Sequence, residues 1–427
     1  MILIFVEQIS PRLQYTLDFV FKERGYEYFL ETDPESIKQS NVAILNYSNQ
    51  KFEFGLHIIP SRVLFDETLQ QYIVTKSTFK DIGCLAFNEI SDVLSSIFYV
   101  LTRMEEYFDC ERDIHDRFSG SHSVLYSNGW LEFAMCDRWA ESIIQSLLEN
   151  GHVTPEKQLN VPVDIHPTFD IDNAFAYQNK GFLRSVFSTF RDVKNWDTKR
   201  LRERFNVLTG KIKDPYDTFN VILSISERGF KVHVFWLLGD YATFDKNCSH
   251  KKMNHQEKIK DMNKYVTLGI HPSYRSNGNS SQVMIEKERL EKSISRKVKH
   301  SRQHFLKLIF PQTYHDLLHA GITNDYTMGY ADHVGFRSGT ARSFQWFDLS
   351  ANQITTLTIH PFVYMDGTLN EYLNLDLAAS KHKIANLYNE VRTYGGCFRF
   401  IWHNETIGDY GRWKGWSEIL EYSLNLK

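Results

Sequence analysis

The chain has 427 residues and a net charge of −3, from 49 lysine and arginine residues against 52 aspartate and glutamate residues. Its 42% apolar and 24% charged residues are close to the average for globular proteins, which excludes a disordered or collagen-like chain. Over the whole chain there is no basic excess that would indicate nucleic acid or an anionic membrane surface as a partner. The length predicts two domains, or three, at roughly 100–200 residues each.

Cysteine use and the first residues of the sequence indicate a reducing compartment. The five cysteines are odd in number and include no CxxC pair, so neither a disulfide framework nor a cysteine zinc site is expected. The apolar run over residues 1–6 has no basic segment before it and stops at Glu7, which predicts a buried strand rather than a signal peptide. No apolar stretch of about 20 residues, the length of a membrane span, occurs. We therefore expect a cytoplasmic protein.

The first 150 residues alternate between strand-like and helix-like patterns, which is typical of an α/β unit. The patterns predict strands at 1–6, 26–30 and 42–47, and helices at 12–21, 95–107 and 137–148. The last helix ends near Gly151, and a polar stretch follows over residues 154–158. We predict that residues 1–150 form a smaller α/β domain of unknown role, and that limited proteolysis first cuts near residues 150–158.

The patterns of residues 159–427 also alternate between strands and helices. Strands are predicted at 159–165 continuing into 167–172, and at 231–238, 266–270, 356–359 and 397–402, with helices at 284–298 and 377–393. This repeated alternation predicts a parallel sheet closed as a barrel. In such barrels the carboxyl ends of the strands build the active site.

Two carboxylates, Asp170 and Asp172, lie at the end of the first predicted strand of this second part. Alternate residues of a strand point to the same side, so both carboxylates should project together. In such a pair one carboxylate can bind a metal while the other stays free as a base. The competing interpretation is a helix cap or a turn, because a D-x-D pattern alone is a weak signal.

Histidines follow several of the other predicted strands. His271 lies in the segment GIHPSY, His304 comes two residues after Arg302, and His360 and His403 follow the two last strands. Neutral imidazole is a common zinc ligand, and the guanidinium fork of an arginine can hold a carboxylate in place. Each histidine alone is more often a structural residue. Their joint occurrence with a carboxylate pair in one domain favours a shared metal site.

The order of these motifs resembles that of the NodB-like polysaccharide deacetylases, carbohydrate esterase family four. That family opens with a Thr-Phe-Asp-Asp motif, here TFDID at residues 168–172, followed by a strand such as VHVFWLLG at residues 232–239. A histidine motif, an arginine motif and a late histidine come next, in the same order as here. The resemblance covers residues 160–427 and is closest to a divergent bacterial branch with D-x-D, GIHPSY, RQHFL and GFR-G-T, which often carries an N-terminal α/β domain. It implies a distorted (β/α) barrel of NodB type.

The resemblance also implies roles for individual residues. Asp170 matches the catalytic base, Asp172 the metal-binding aspartate and His271 the first metal-binding histidine. The family has a second histidine four residues after the first, whereas this chain has Arg275 there. We expect His304 to take its place as the third ligand.

The remaining roles fall on residues later in the chain. Arg302 matches the arginine that orients the base and tunes its pKa. His360 occupies the place of the late histidine that acts as general acid, and His403 is the alternative for that role. A backbone N–H near Tyr274 is expected to stabilise the oxyanion together with the metal.

These matches imply a metal-dependent hydrolase, with zinc as the expected metal, that removes an acetyl group from an acetylated sugar or polysaccharide intermediate. The expected partners are the acetylated carbohydrate substrate and other enzymes of surface-polysaccharide biosynthesis. Two alternatives remain open at this point. One is a catalytically weak or inactive glycan-binding protein, because the usual second histidine is lost. The other is a metal-dependent amidohydrolase that acts on a small non-sugar amide.

Overall fold

The computed structural model describes residues 2–37, 42–108, 110–149 and 163–427. The predicted domain boundary and the predicted proteolysis site near residues 150–158 lie outside these residues, so the division into two domains stays a prediction. Among the described residues, no helix has both the length and the apolar character needed to cross a bilayer.

The part before the predicted boundary is built on a small parallel sheet. Its elements are β1 (Ile2–Val6), α1 (Pro11–Val20), β2 (Tyr28–Glu31), α2 (Pro34–Ile37), β3 (Ala43–Tyr47), β4 (Leu56–Ile58), β5 (Val74–Phe79), β6 (Ile82–Phe87), β7 (Ile90–Ser91), α3 (Val93–Leu101), α4 (Val124–Ser127) and α5 (Met135–Glu149). The parallel sheet has the order β2-β1-β3-β4, and β5 to β7 form a separate antiparallel sheet. Helix α1 begins where the hydroxyl of Ser10 accepts the N–H of Leu13, directly before Pro11.

The second part alternates strands and helices through most of its length. Its elements are β8 (Asp164–Ile171), α6 (Phe182–Lys194), α7 (Thr198–Leu208), α8 (Phe219–Glu227), β9 (His233–Trp236), α9 (Met253–Met262), β10 (Thr267–Ile270), α10 (Ser280–Ile294), β11 (His300–Ser301), α11 (Gln312–His319), β12 (Asn324–Asp325), β13 (Phe344–Asp348), β14 (Gln353–Ile359), β15 (Tyr364–Met365), α12 (Leu377–Tyr394), β16 (Cys397–His403), α13 (Asn404–Ile407) and α14 (Ser417–Leu424). The α/β class that the sequence predicts is confirmed.

The strands of the second part form one sheet in the order β13-β14-β12-β11-β10-β9-β8-β16-β15. All neighbours are parallel except β13 and β14, which run antiparallel. The predicted closure into a barrel is wrong for the described residues, because the edge strands β13 and β15 each pair with one neighbour and not with each other. The first part covers the β13 edge. There the hydroxyl of Tyr15 donates to the carbonyl of Gln345 at 2.7 Å, and Arg12 Nε donates to Asn352 in the following turn at 2.9 Å.

The two parts share a continuous apolar core and a buried ion network. Arg103 Nε lies 2.8 Å from Glu106 Oε1, and Arg337 of the second part donates to both oxygens of the same carboxylate. Arg337 belongs to the segment GFRSGT, in which Gly335 has a φ of +119° and a Cβ there would lie 2.3 Å from the carbonyl oxygen of Leu131. This segment therefore joins the two parts, since only glycine permits the close backbone approach.

Candidate active site

A cavity of about 160 Å³ lies at the carboxyl edge of the nine-stranded sheet. Strand β8 brings Asp170 and Asp172 to it, and the residues that follow β10 and β11 bring His271 and His304. His403, the last residue of β16, lines the same cavity. Parallel strands end at a common edge, so residues far apart in the sequence meet here.

Three side chains of the metal-ligand type converge in this cavity. Asp172, His271 and His304 each offer one ligand atom, and these atoms lie within 4.8 Å of one another. His271 Nε2 is 3.1 Å from Asp172 Oδ1, and His304 Nε2 is 3.6 Å from Asp172 Oδ2. The structure thus brings together the three residues that the sequence suggests as ligands.

The other nitrogen of each imidazole is held by an acceptor, which orients the ring. His271 Nδ1 lies 2.6 Å from the carbonyl oxygen of Arg302, and His304 Nδ1 lies 3.0 Å from Asp245 Oδ1. These oxygens only accept hydrogen bonds, so Nδ1 carries the proton in both rings and Nε2 faces Asp172. Such partners of metal-binding histidines fix the tautomer and the direction of the lone pair.

The charge of the site favours a cation. Burial lowers the pKa of His304, but Asp172 and Asp245 outweigh burial and raise the pKa to about 9. Burial also opposes ionisation of Asp172, yet the charge of His304 and the adjacent imidazoles of His271 and His403 hold its pKa well below the usual range. Asp172 Oδ1 is buried and accepts no hydrogen bond of acceptable geometry from any described residue. One carboxylate and two imidazoles form a donor set that fits a divalent metal such as zinc.

Asp170 is held apart from these ligands by an arginine. Arg302 Nη1 donates to Asp170 Oδ1 at 2.8 Å, while its Nη2 donates to Thr168 and its Nε to the carbonyl of Tyr326. The second oxygen of Asp170 lies 4.0 Å from His271 Nε2. The carboxylate is therefore oriented with one oxygen bound to Arg302 and the other next to the ligand cluster, as a general base requires.

His403 is paired with a carboxylate that the sequence did not single out. Its Nδ1 lies 2.8 Å from Asp366 Oδ1, and its Nε2 lies 3.9 Å from Asp172 Oδ2. Burial lowers the pKa of His403, but the charge and hydrogen bond of Asp366 outweigh burial and raise the pKa well above its usual value. A protonated imidazole at the cavity can serve as a general acid.

His360, the residue in the place of the family's late histidine, is not brought to this cavity. Its Nδ1 pairs with the hydroxyl of Ser343 at 2.7 Å and its Nε2 with Asn324 Oδ1 at 2.9 Å, and its ring stacks on Tyr326. Both ring nitrogens are thus engaged away from the site. Of the two histidines expected as the general acid, the structure brings only His403 to the cavity.

The expected backbone donor near Tyr274 is also engaged elsewhere. The N–H of Tyr274 donates to Asp245 Oδ1 at 2.8 Å, so it does not point at a reacting oxygen. Asp245 is fully buried and accepts both this N–H and the imidazole of His304. It acts as a positioning residue for His304. No pattern in the sequence marks it, because it lies in an irregular loop between β9 and α9.

The first part of the chain contributes to the cavity wall. Arg117 lines the cavity, with Nη1 3.1 Å from the carbonyl of Phe305 and Nη2 3.2 Å from the hydroxyl of Tyr372, and it pairs with Asp113. Glu405, from the second part of the chain, also lines the cavity. Burial together with the charge of Asp172 raises the pKa of Glu405 to about 7. Neither residue was expected to belong to the site.

A separate cluster of buried histidines surrounds Tyr326 within the same sheet. His166 Nε2 lies 2.7 Å from His233 Nδ1, the hydroxyl of Tyr326 contacts His233 and His300, and His360 stacks on the same ring. Burial lowers the pKa of His233 and of His360 to about 2 and that of His300 to about 4. These rings stay neutral in the folded protein.

We expect the free energy of unfolding to fall as the pH is lowered from about 7 to about 5, because the cluster binds protons only after unfolding. Unfolded histidines take up protons below a pKa of about 6.5, and each histidine that stays neutral in the fold costs up to ~1.4 kcal/mol per pH unit below that value. Urea unfolding at several pH values measures this slope. His300→Gln should reduce the slope, whereas the exposed His382→Gln should not. A stability that does not change with pH over this range would contradict the prediction.

Comparisons with known proteins give partial likenesses. Residues 2–152 match the sequence model of a family of unknown function, DUF7033, and no curated protein matches the chain. The match ends near the predicted boundary at residue 150. Among solved structures, a Mycobacterium smegmatis protein designated a polysaccharide deacetylase is 14% identical, with a TM-score of 0.39, over 65% of this chain and 90% of that chain. IcaB from Ammonifex degensii is 13% identical, with a TM-score of 0.24, over 40% of this chain and 86% of that chain.

Proposed function

We propose that this protein is a metal-dependent hydrolase that removes an acetyl group from an acetylated sugar. The observation that carries the proposal is the meeting of three groups in one cavity. These are the ligand cluster around Asp172, the arginine-held carboxylate of Asp170 and the paired imidazole of His403. The order of the same residues in the sequence, which resembles that of NodB-like deacetylases, supports it further.

Each residue has a definite task in this reaction. A divalent metal held by Asp172, His271 and His304, for which we propose zinc, would polarise the acetyl carbonyl and activate water. Asp170 takes the proton of the attacking water, and Arg302 keeps that carboxylate in position.

The proton for the leaving group comes from a different residue. His403 donates its proton to the leaving amine or alkoxide, and Asp366 keeps the imidazole protonated until then. This assigns the general acid to the histidine at the end of β16. No covalent intermediate is required, because water attacks the carbonyl directly.

The walls of the cavity suit a sugar. Phe305, Tyr372 and Trp413 line it together with the polar side chains of Arg117 and Glu371. Aromatic side chains beside a few polar groups are typical of small-molecule sites. Here the aromatic side chains would cover the faces of a sugar ring, and the polar side chains would form hydrogen bonds with its hydroxyls. Because Arg117 belongs to the first part of the chain, we propose that this part helps to bind substrate.

The proposal is tested by measuring metal content and acetate release on the same protein sample. We expect about one divalent metal ion per chain, acetate release from N- or O-acetylated sugars, loss of release on chelation, and recovery when zinc is added back. Binding of glycan without bound metal or acetate release would favour the glycan-binding alternative. Cleavage of small non-sugar amides with no action on acetylated sugars would favour the amidohydrolase alternative.

A further inference from the structure

The helical hairpin of α6 and α7, residues 181–213, carries large apolar side chains on its surface. Eight of the twenty-five large apolar residues that are exposed among the described residues lie in this short segment. Phe187 is 72% exposed and Trp196 is 86% exposed. The others are Val186, Phe190, Val193, Phe205, Leu208 and Ile212. Such a concentration marks an interaction surface rather than the scattered exposure that is normal for a soluble fold.

The spacing of these residues places them on one stripe of each helix. On α6, residues 186, 187, 190 and 193 recur at intervals that follow the helical repeat, and on α7 residues 205 and 208 do the same. In contrast, Asp192 of α6 and both Arg204 and Val207 of α7 are buried, so these side chains do not belong to the exposed stripes. The hairpin thus packs on the protein through one side and turns an apolar stripe outward.

The same segment is strongly basic. Residues 181–213 contain nine lysine and arginine residues and three aspartate and glutamate residues, in a chain whose net charge is −3. The acidic side chains are all engaged: Asp192 pairs with Arg204, Asp197 caps α7, and Glu203 accepts from the hydroxyl of Tyr410 at 2.8 Å.

Most of the basic side chains point outward instead. The exposed ones are Arg191, Lys194, Lys199, Arg200, Arg202, Lys211 and Lys213. Arg200 lies 3.9 Å from Asp192 and Lys213 lies 3.9 Å from Asp217, while the other exposed basic side chains leave an excess of positive charge. The surface therefore combines an apolar stripe with a net positive charge, which is the pattern of helices that lie in a membrane interface.

We propose that this hairpin docks the protein on an anionic lipid surface, with both helices lying in the plane of the headgroups. The positive charge complements anionic headgroups, and the exposed phenylalanine and tryptophan side chains enter the boundary of the acyl chains. A second copy of the hairpin is a poorer occupant, because a symmetric contact would set the two basic surfaces against each other. The proposal goes beyond the hydrolase function and does not depend on it.

Hydrogen bonds connect the hairpin to segments that lie next to the candidate active site. Asp214, which follows the hairpin, accepts the N–H groups of Ala176 and Tyr177 at 2.7 and 2.9 Å, in the segment that leaves Asp172. Tyr410 links Glu203 to the loop that follows His403 and α13. Docking through the hairpin would therefore hold the cavity close to the lipid surface.

Sedimentation of the full chain with vesicles tests the proposal. We expect binding to vesicles of phosphatidylcholine with phosphatidylglycerol, at least about tenfold weaker binding to phosphatidylcholine alone, and release by high salt. A triple variant, Phe187→Ser, Phe190→Ser and Trp196→Ser, should weaken binding by about tenfold or more. The matched control is Tyr265→Ser, which removes an aromatic residue that is 58% exposed outside the hairpin.

Several outcomes would overturn the proposal. These are equal binding of all variants, no binding to anionic vesicles, or a hairpin-dependent self-association in light scattering without vesicle binding. Circular dichroism and thermal unfolding establish that the triple variant is folded, which is expected because the replaced side chains are exposed. A second triple variant, Arg191→Gln, Lys194→Gln and Lys199→Gln, separates the contribution of charge from that of the apolar stripe. Acetate release from a soluble sugar should be unchanged in both variants, so that docking and hydrolysis are tested separately.

Discussion

Asp170→Asn is expected to keep the metal in place and to lower kcat by about a hundredfold or more, the usual contribution of a general base. The physical reason is that Asp170 is bound to Arg302 and stands beside the ligand cluster rather than within it. The amide has nearly the same shape as the carboxylate but cannot accept the proton of water. Metal content and kcat should be measured on the same preparation.

Asp172→Asn is the matched comparison, because it makes the same chemical change two residues away. Here the metal itself should be lost, since the only carboxylate of the ligand cluster is removed and His271 and His304 remain. Arg302→Lys should behave like a weaker form of Asp170→Asn, because a lysine cannot replace the fork that also binds Thr168. Equal loss of metal in both aspartate variants would mean that the carboxylates act as a joint ligand pair, and the division of labour proposed here would be wrong.

The ligand cluster could be predicted from the sequence because its members follow recognisable apolar strands. Asp170 is the penultimate residue of β8, Asp172 follows that strand directly, and His271 comes directly after β10. Carboxyl ends of parallel strands meet at one edge, so no further information was needed to place these side chains together. His304 follows the two-residue strand β11, and the arginine motif before it was the useful signal.

The partners of the site residues could not be predicted in the same way. Asp366 follows β15, which has only two residues and no readable periodicity, and Asp245 lies in a loop. The choice between His360 and His403 was open because both follow a strand. Tertiary contacts favour His403, since His360 is engaged by Ser343 and Asn324 while His403 lines the cavity.

Two larger features of the molecule could not be predicted from the sequence patterns. The net charge of −3 describes the whole chain and conceals the basic hairpin at residues 181–213, so the exclusion of an anionic membrane surface does not hold locally. The closed barrel was expected from strand–helix alternation alone. That alternation is satisfied equally by an open sheet, and the antiparallel edge strand β13 with the first part of the chain packed on it could not be foreseen.

Glu106→Ala is expected to lower the free energy of unfolding by about 3–5 kcal/mol, the usual result of removing one partner from a buried ion network. Burial opposes ionisation of Glu106, but Arg337 and Arg103 outweigh burial and lower its pKa, so the carboxylate is charged. All three side chains are almost completely inaccessible to solvent. Without the carboxylate, two guanidinium groups would remain buried with only carbonyl, hydroxyl and Glu105 partners. Urea unfolding at constant pH measures the loss.

The control is Glu418→Ala, which removes the partner of Lys381 in an ion pair at the surface and should change stability by about 1 kcal/mol or less. A double-mutant cycle with Arg337→Ala gives the sharper test of the network. Once Glu106 is absent, removing Arg337 should cost much less than it does alone, because the penalty of an unpaired buried charge has already been incurred. Additive losses would show that the two residues are not energetically coupled. Since Glu106 belongs to the first part of the chain and Arg337 to the second, a large coupling energy would also mean that this network joins the two parts into one cooperative unit.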